Sequence, residues 1–149
     1  MWSLTSKKNL DTINVLQKKC IRIINFAEIN SHTNPLFIEN HLIKFEDIIE
    51  STYLKLIFDF KNRNLPADLY SLFEFSDNIH RYNTRISSYK GIFIPPIRTT
   101  NFGNKSLRYA ASVLWNEFVN KDKSLLSLKH KNELKKYLKN HYQSKYSCL

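Results

Sequence analysis

Apolar residues along the first half of the chain recur at the three- and four-residue spacings of helical faces. Leu10, Ile13, Leu16, Cys20 and Ile23, with Ile24 and Phe26 beyond them, predict one apolar face of a first helix, and Lys18, Lys19 and Arg22 fall on its solvated side. Asn34-Pro35 predicts the start of a short helix to about His41, because Asn can accept orphan amide hydrogens and Pro suits the first helical position. Between Lys44 and Lys61, a stripe of Phe45, Ile48, Ile49, Tyr53, Leu56 and Phe60 is widened by Leu54, Ile57 and Phe58 until little is left for water. That is the expected central buried helix. Glu46, Asp47 and Glu50 open it and Lys61 and Arg63 close it, the charge order favoured by the helix dipole. Glu46 and Glu50, one turn apart, are also a carboxylate pair of the kind that holds a metal or works as acid and base. The dipole accounts for them without a partner. Pro66 opens a further short helix through Phe73.

The texture changes after Ser76-Asp77-Asn78, a polar break. His80-Arg81-Tyr82-Asn83-Thr84-Arg85 has no helical period, and its Arg, Tyr and Asn are residue types that grip phosphates and stack on bases, or else form a polar loop that answers nearby acids. The run Ile92-Phe93-Ile94-Pro95-Pro96-Ile97-Arg98 is β-branched and apolar, with prolines that confine a strand to a sheet edge. Turn residues at Asn101-Phe102-Gly103-Asn104 and a return over Ser106-Leu107-Arg108-Tyr109 complete the pattern of a small antiparallel hairpin, which would gather Arg98, Lys105 and Arg108. Ala110 to Phe118 reads as a short helix with Trp115 as a core anchor. A last helix starts near Ser124 or Ser127 and runs to about Tyr142. Leu134, Tyr137, Leu138 and His141 form its inner stripe, while Lys129, Lys135, Lys136 and Lys139 face outward. These elements predict an α+β fold, mainly α-helical with one small antiparallel β-hairpin. It comprises a helical half at 1–77 and a second half at 78–149, expected to form one compact domain.

Charge sharpens this division. The 149 residues carry a formal net charge of +10, yet residues 1–80 hold 9 basic and 10 acidic side chains while residues 81–149 hold 14 and 3. An excess confined to one half points to a polyanion. A Lys-faced helix alone is also a common way of keeping a terminal helix in solution, but together with the basic loop and hairpin it favours binding. At 42% hydrophobic residues the chain is too apolar for a disordered tail. It also lacks the run of roughly 18 apolar residues that spans a membrane, and the last helix has Tyr and His where a membrane-surface helix would want Leu, Phe or Trp. Met1-Trp2-Ser3-Leu4-Thr5-Ser6-Lys7-Lys8 has no secretory pattern, which makes an intracellular location, nucleus or cytoplasm, the expectation.

Catalytic and metal chemistry is not indicated. Cys20 and Cys148 are far apart, His32, His41, His80, His130 and His141 have no ligand spacing, and two glycines cannot build a phosphate loop. Tyr82 between Arg81 and Arg85 lacks the His-x-x-Arg helix of tyrosine strand-transfer enzymes. No catalytic residue, metal ligand or cofactor is therefore assigned. The candidate nucleic-acid-binding residues are Arg81, Tyr82, Arg85, Arg98, Lys105, Arg108, Lys129, Lys135, Lys136 and Lys139.

Several segments in order carry a resemblance: Trp2, Leu16-Gln17-Lys18-Lys19-Cys20-Ile21-Arg22-Ile23-Ile24, Ser31-His32-Thr33-Asn34-Pro35-Leu36-Phe37, Asn64-Leu65-Pro66, His80-Arg81-Tyr82-Asn83-Thr84-Arg85, Leu114-Trp115-Asn116 and Leu134-Lys135-Lys136-Tyr137-Leu138. Together these blocks resemble the C-terminal region, after the polymerase core, of the reverse transcriptase polyproteins of jockey-like non-LTR retrotransposons. Ala111-Ser112-Val113 stands where that family often has Gly-Pro, and Asn116 is not followed by its usual Leu-Pro. The resemblance implies a detached, non-catalytic part of an RNA-directed DNA polymerase. It would hold template RNA or target DNA in target-primed reverse transcription, alongside an upstream polymerase domain that supplies the paired aspartates. The alternative is an interaction or scaffold module whose basic face docks on that polymerase or on another acidic partner.

Overall fold

The computed structural model describes residues 7–79, 86, 91–97, 103, 104 and 106–147. Its elements are α1 (Lys7–Ile24), α2 (Thr33–Glu39), α3 (Phe45–Lys61), α4 (Ala67–Tyr70), α5 (Ser76–Ile79), α6 (Leu107–Lys121), a 3-10 turn (Lys123–Leu126) and α7 (Lys131–Ser147). No helix among the described residues is long and apolar enough to cross a membrane. With few glycines available, α1, α2 and α3 all end on a bulkier residue held at positive φ: Phe26 at 50°, His41 at 53° and Arg63 at 57°. Each ending has the paired reverse bonds of a Schellman motif, as in Ala27 N to Arg22 O at 2.9 Å with Phe26 N to Ile23 O at 3.1 Å.

The chain divides by its contacts into one unit of residues 1–51 and 135–149 and another of 52–134, so α3 and α7 each contribute to both. In the first unit, Ile21, Phe37, Phe45, Leu138, Tyr142 and Tyr146 form the core. The expected apolar face of α1 is not the face it buries. The helix turns Leu10, Asn14, Gln17 and Ile21 inward and leaves Leu16, Ile23 and Ile24 exposed. The reason is polar: Gln17 accepts from Phe45 N at 2.8 Å and donates to Ile43 O at 3.0 Å, supplying an acceptor at the start of α3, where helix amides lack partners. Asn14 donates a hydrogen bond from its side-chain amide to Glu46 at 2.5 Å.

The second unit is built on the later half of α3. Tyr53, Leu54, Ile57, Phe58 and Phe60 are buried with Phe73, Ile92, Ala111, Trp115, Val119, Leu125 and Leu134. Phe60 meets the rings of Phe75, Phe73 and Tyr70 at 5.1, 5.6 and 5.8 Å. Lys61 closes α3 on the carbonyl of Leu126 at 2.6 Å.

Among the described residues the expected β-hairpin is absent. Among the described residues there is no strand, only an isolated antiparallel bridge between Phe75 and Ile92, and the fold is mainly helical rather than α+β. Two causes are visible. Ser106 accepts from Tyr109 N at 3.3 Å and so caps α6, which draws Leu107-Arg108-Tyr109 into helix instead of a return strand. The partner of Ile92 is a side chain: Asn116 accepts from Ile92 N at 2.9 Å and donates to Ile92 O at 2.7 Å. Phe93 N adds a bond to Glu74 O at 2.8 Å, and the prolines that follow have no amide to offer a ladder. Gly91 is required beside Asn116, since a Cβ there would lie 2.5 Å from Ile86 Cγ2 and 2.9 Å from Asn116 Oδ1.

Candidate nucleic-acid interface

Of the ten candidate binding residues, Arg81, Tyr82, Arg85, Arg98 and Lys105 lie outside the described residues. Arg108 sits in the first turn of α6, half-buried, with its Nε enclosed and without a hydrogen-bond partner among the described residues. With the hairpin gone, the grouping of Arg98, Lys105 and Arg108 expected from it has no basis. Lys129 is exposed just before α7.

Lys135, Lys136 and Lys139 are the part of the site that the structure brings together. All are exposed on α7. Lys139 lies three residues from Lys136 and four from Lys135, spacings that make side chains neighbours at roughly 5–6 Å between Cβ atoms. None has an acidic partner among the described residues. Asn140 follows Lys136 by one turn and extends this exposed face with an amide, which also suits phosphate oxygens. The signal for it was the four-residue spacing from a lysine.

The other charges of α7 are occupied. Lys131 pairs with Asp59 at 2.5 Å and Lys145 with Asp47 at 3.0 Å. Glu133 is the acid of its first turn, and it accepts from the amides of His130 and Lys129, each at 3.3 Å. Those two backbone bonds hold its carboxyl below the usual range. The helix therefore begins at Lys131 rather than at Ser124 or Ser127, because Asp122 caps the preceding 3-10 turn through Ser124 N at 2.8 Å. Its buried stripe runs Leu134, Leu138, Tyr142, Tyr146, and His141, expected inside, is exposed.

A polar cluster fixes how the lysine face is presented. Asp47, only 3% exposed, accepts from the hydroxyl of Tyr146, which itself accepts from Lys44 N at 2.9 Å. Tyr142 donates to Glu50 at 3.3 Å, and Lys44 donates to Asn34 at 2.7 Å while lying 4.4 Å from the ring centre of Tyr146. Burial raises both phenols well above their usual range, aided by the charge of Glu50 on Tyr142 and by the bond to Asp47 on Tyr146. Burial also raises Glu50 and lowers Lys44. For Lys145 burial acts to lower it, but the hydrogen bond and charge of Asp47, with Glu50 and Glu46, leave it above its usual range. Glu46 and Glu50, the carboxylate pair weighed as a metal or acid-base site, are taken by Asn14 and Tyr142 respectively. Among the described residues no group of three or more His, Cys, Asp or Glu could hold a metal ion. The cluster's chemistry is that of a clamp, with neutral phenols donating to carboxylates.

No family model, curated protein or solved structure matches the chain.

Proposed function

We propose that the chain holds nucleic acid as a non-catalytic part of a non-LTR retrotransposon reverse transcriptase. It would grip template RNA or target DNA beside a polymerase domain of the same polyprotein, in the nucleus or cytoplasm. The observation that carries this reading is the face of Lys135, Lys136 and Lys139, three exposed cations on a helix whose other two lysines, Lys131 and Lys145, are in ion pairs. Exposed cations outside these ion pairs can meet phosphate, and each phosphate they neutralise releases a counterion. The resemblance of the ordered sequence blocks to the region after a reverse transcriptase core supports the same reading.

The test is the salt dependence of binding to duplex DNA. If about six cationic groups meet phosphates, the log–log slope is near −5. Replacing Lys135, Lys136 and Lys139 together by Gln should make it about 3 units shallower while changing stability by less than about 0.5 kcal/mol, since all three are exposed. A flat slope for the unaltered chain, or an unchanged slope for the triple variant, would overturn the proposal.

A further inference from the structure

One exposed stripe of α1, flanking the face that the helix buries, is apolar. Ile13, Leu16, Cys20 and Ile23 repeat at intervals of three, four and three, which is the a/d spacing of a helix-pairing seam. Leu16 is 53% exposed, Ile23 73% and Ile24 61%, and the seam runs on into Phe26 and Ile29, both almost fully exposed. Contiguous apolar surface of this kind marks an interaction site in a folded protein.

Phe26 adds a second observation. It holds the left-handed position of the Schellman motif, where Gly costs least and a bulky residue is strained. At 97% exposure its ring gains little from packing within the chain. At the end of α1, Lys19, Arg22, Ile23, Ala27 and Ile29 line a groove of about 380 Å³. Arg22 is fixed at the groove's edge by its bond from Nε to Ser31 O at 3.0 Å. The exposed ring, on a strained backbone, and an apolar groove with cations on its rim thus both stand at the end of α1.

We propose that this face docks an amphipathic helix of a partner protein whose flanks are acidic. Charge selects that occupant. Lys7, Lys8, Lys18, Lys19 and Arg22 stand against Asp11 on α1, so a second copy of the same helix would bring like charges together, whereas Glu or Asp beside an apolar stripe would pair with Lys19 and the rim. The narrow a/d seam fits a single helix better than the broad apolar face that an in-plane membrane helix presents. This site lies on α1 and is independent of the lysine face of α7.

The probe is a three-heptad helical peptide with Leu at a and d and Glu at e and g, paired with a control that has Lys at e and g. Cys20, exposed within the seam, reports occupancy through its rate of alkylation, read at that residue by mass spectrometry. The Glu peptide should slow alkylation about tenfold at saturation and the Lys peptide should not. Leu16→Ser with Ile23→Ser should abolish protection without loss of helix content. Phe26→Gly should raise the melting temperature yet weaken binding, a combination that a merely structural role for the ring would not produce. The proposal is overturned if both peptides protect equally or neither does. It is also overturned if protection grows with protein concentration alone, which assigns the face to a second copy, or if phosphatidylserine vesicles protect Cys20 in place of the Glu peptide.

Discussion

Asn116 shows how one side chain can stand in for a strand. Its amide satisfies both backbone groups of Ile92 inside the core, in a space that only Gly91 leaves open. Asn116→Ala leaves a buried donor and a buried acceptor without partners, and should cost about 3 kcal/mol in urea denaturation. Gly91→Ala should cost about 2 kcal/mol by overpacking. Because the added methyl already displaces Asn116 Oδ1, the double variant should lose less than the sum, and strict additivity would mean that the two residues do not share this space. Glu50 offers a residue-scale test with pH. Its carboxyl is raised by burial, so the folded state binds its proton more tightly than the unfolded chain. The stability this brings is present below the unfolded value and is lost as pH rises through the folded one. Glu50→Gln keeps an acceptor for Tyr142 and removes the buried charge. Its melting temperature should therefore exceed that of the unaltered chain at neutral pH and match it once both are neutral in acid; a difference that persists in acid would assign the effect to packing.

At the scale of elements, periodicity in the sequence revealed where helices lie but not always which way they face. The pattern around Leu16 and Ile23 located α1 well, yet the helix turns Gln17 inward because the first amide of α3 needs an acceptor, and Asn14 inward as a donor to the Glu46 carboxylate. That requirement comes from residues about 30 positions away in sequence, beyond the reach of any local period. The missing hairpin has a similar origin. Ile92-Phe93-Ile94 carries strand-forming residues, but what pairs with Ile92 is an amide from α6, and the supposed return strand starts with a helix cap. Ser106 is the legible part of that difference, being a good N-cap followed by Leu, Arg, Tyr, Ala and Ala. Ser106→Ala should lower stability by about 1 kcal/mol and reduce helix content by circular dichroism. If instead it leaves both unchanged, the cap is not what decides helix over strand here. The outward lysines of α7 were readable because exposed charges follow the helical period directly, whereas the engagement of Lys131 and Lys145 depended on Asp59 and Asp47, which no local pattern links to them.

For the whole molecule, a net charge of +10 disfavours the compact state through self-repulsion and favours any polyanion that relieves it. Binding only to the folded chain must then raise its melting temperature by mass action. At a nucleic-acid concentration about 100 times the Kd the gain is about 2.7 kcal/mol, which for a chain of this size corresponds to roughly 8 °C. Charge alone would give the same shift with polyglutamate of equal charge. Nucleic acid held by phosphate contacts and stacking should exceed it, because Tyr and Arg in the basic half are residue types that engage bases as well as phosphates. Calorimetry with single-stranded RNA, duplex DNA and polyglutamate, each at two salt concentrations, separates these cases. A larger shift with either nucleic acid, shrinking steeply with salt, is the outcome expected of a domain that holds a template. An equal or larger shift with polyglutamate would mean that the basic half answers an acidic protein surface instead, and the lysine face of α7 would then be a protein-docking face.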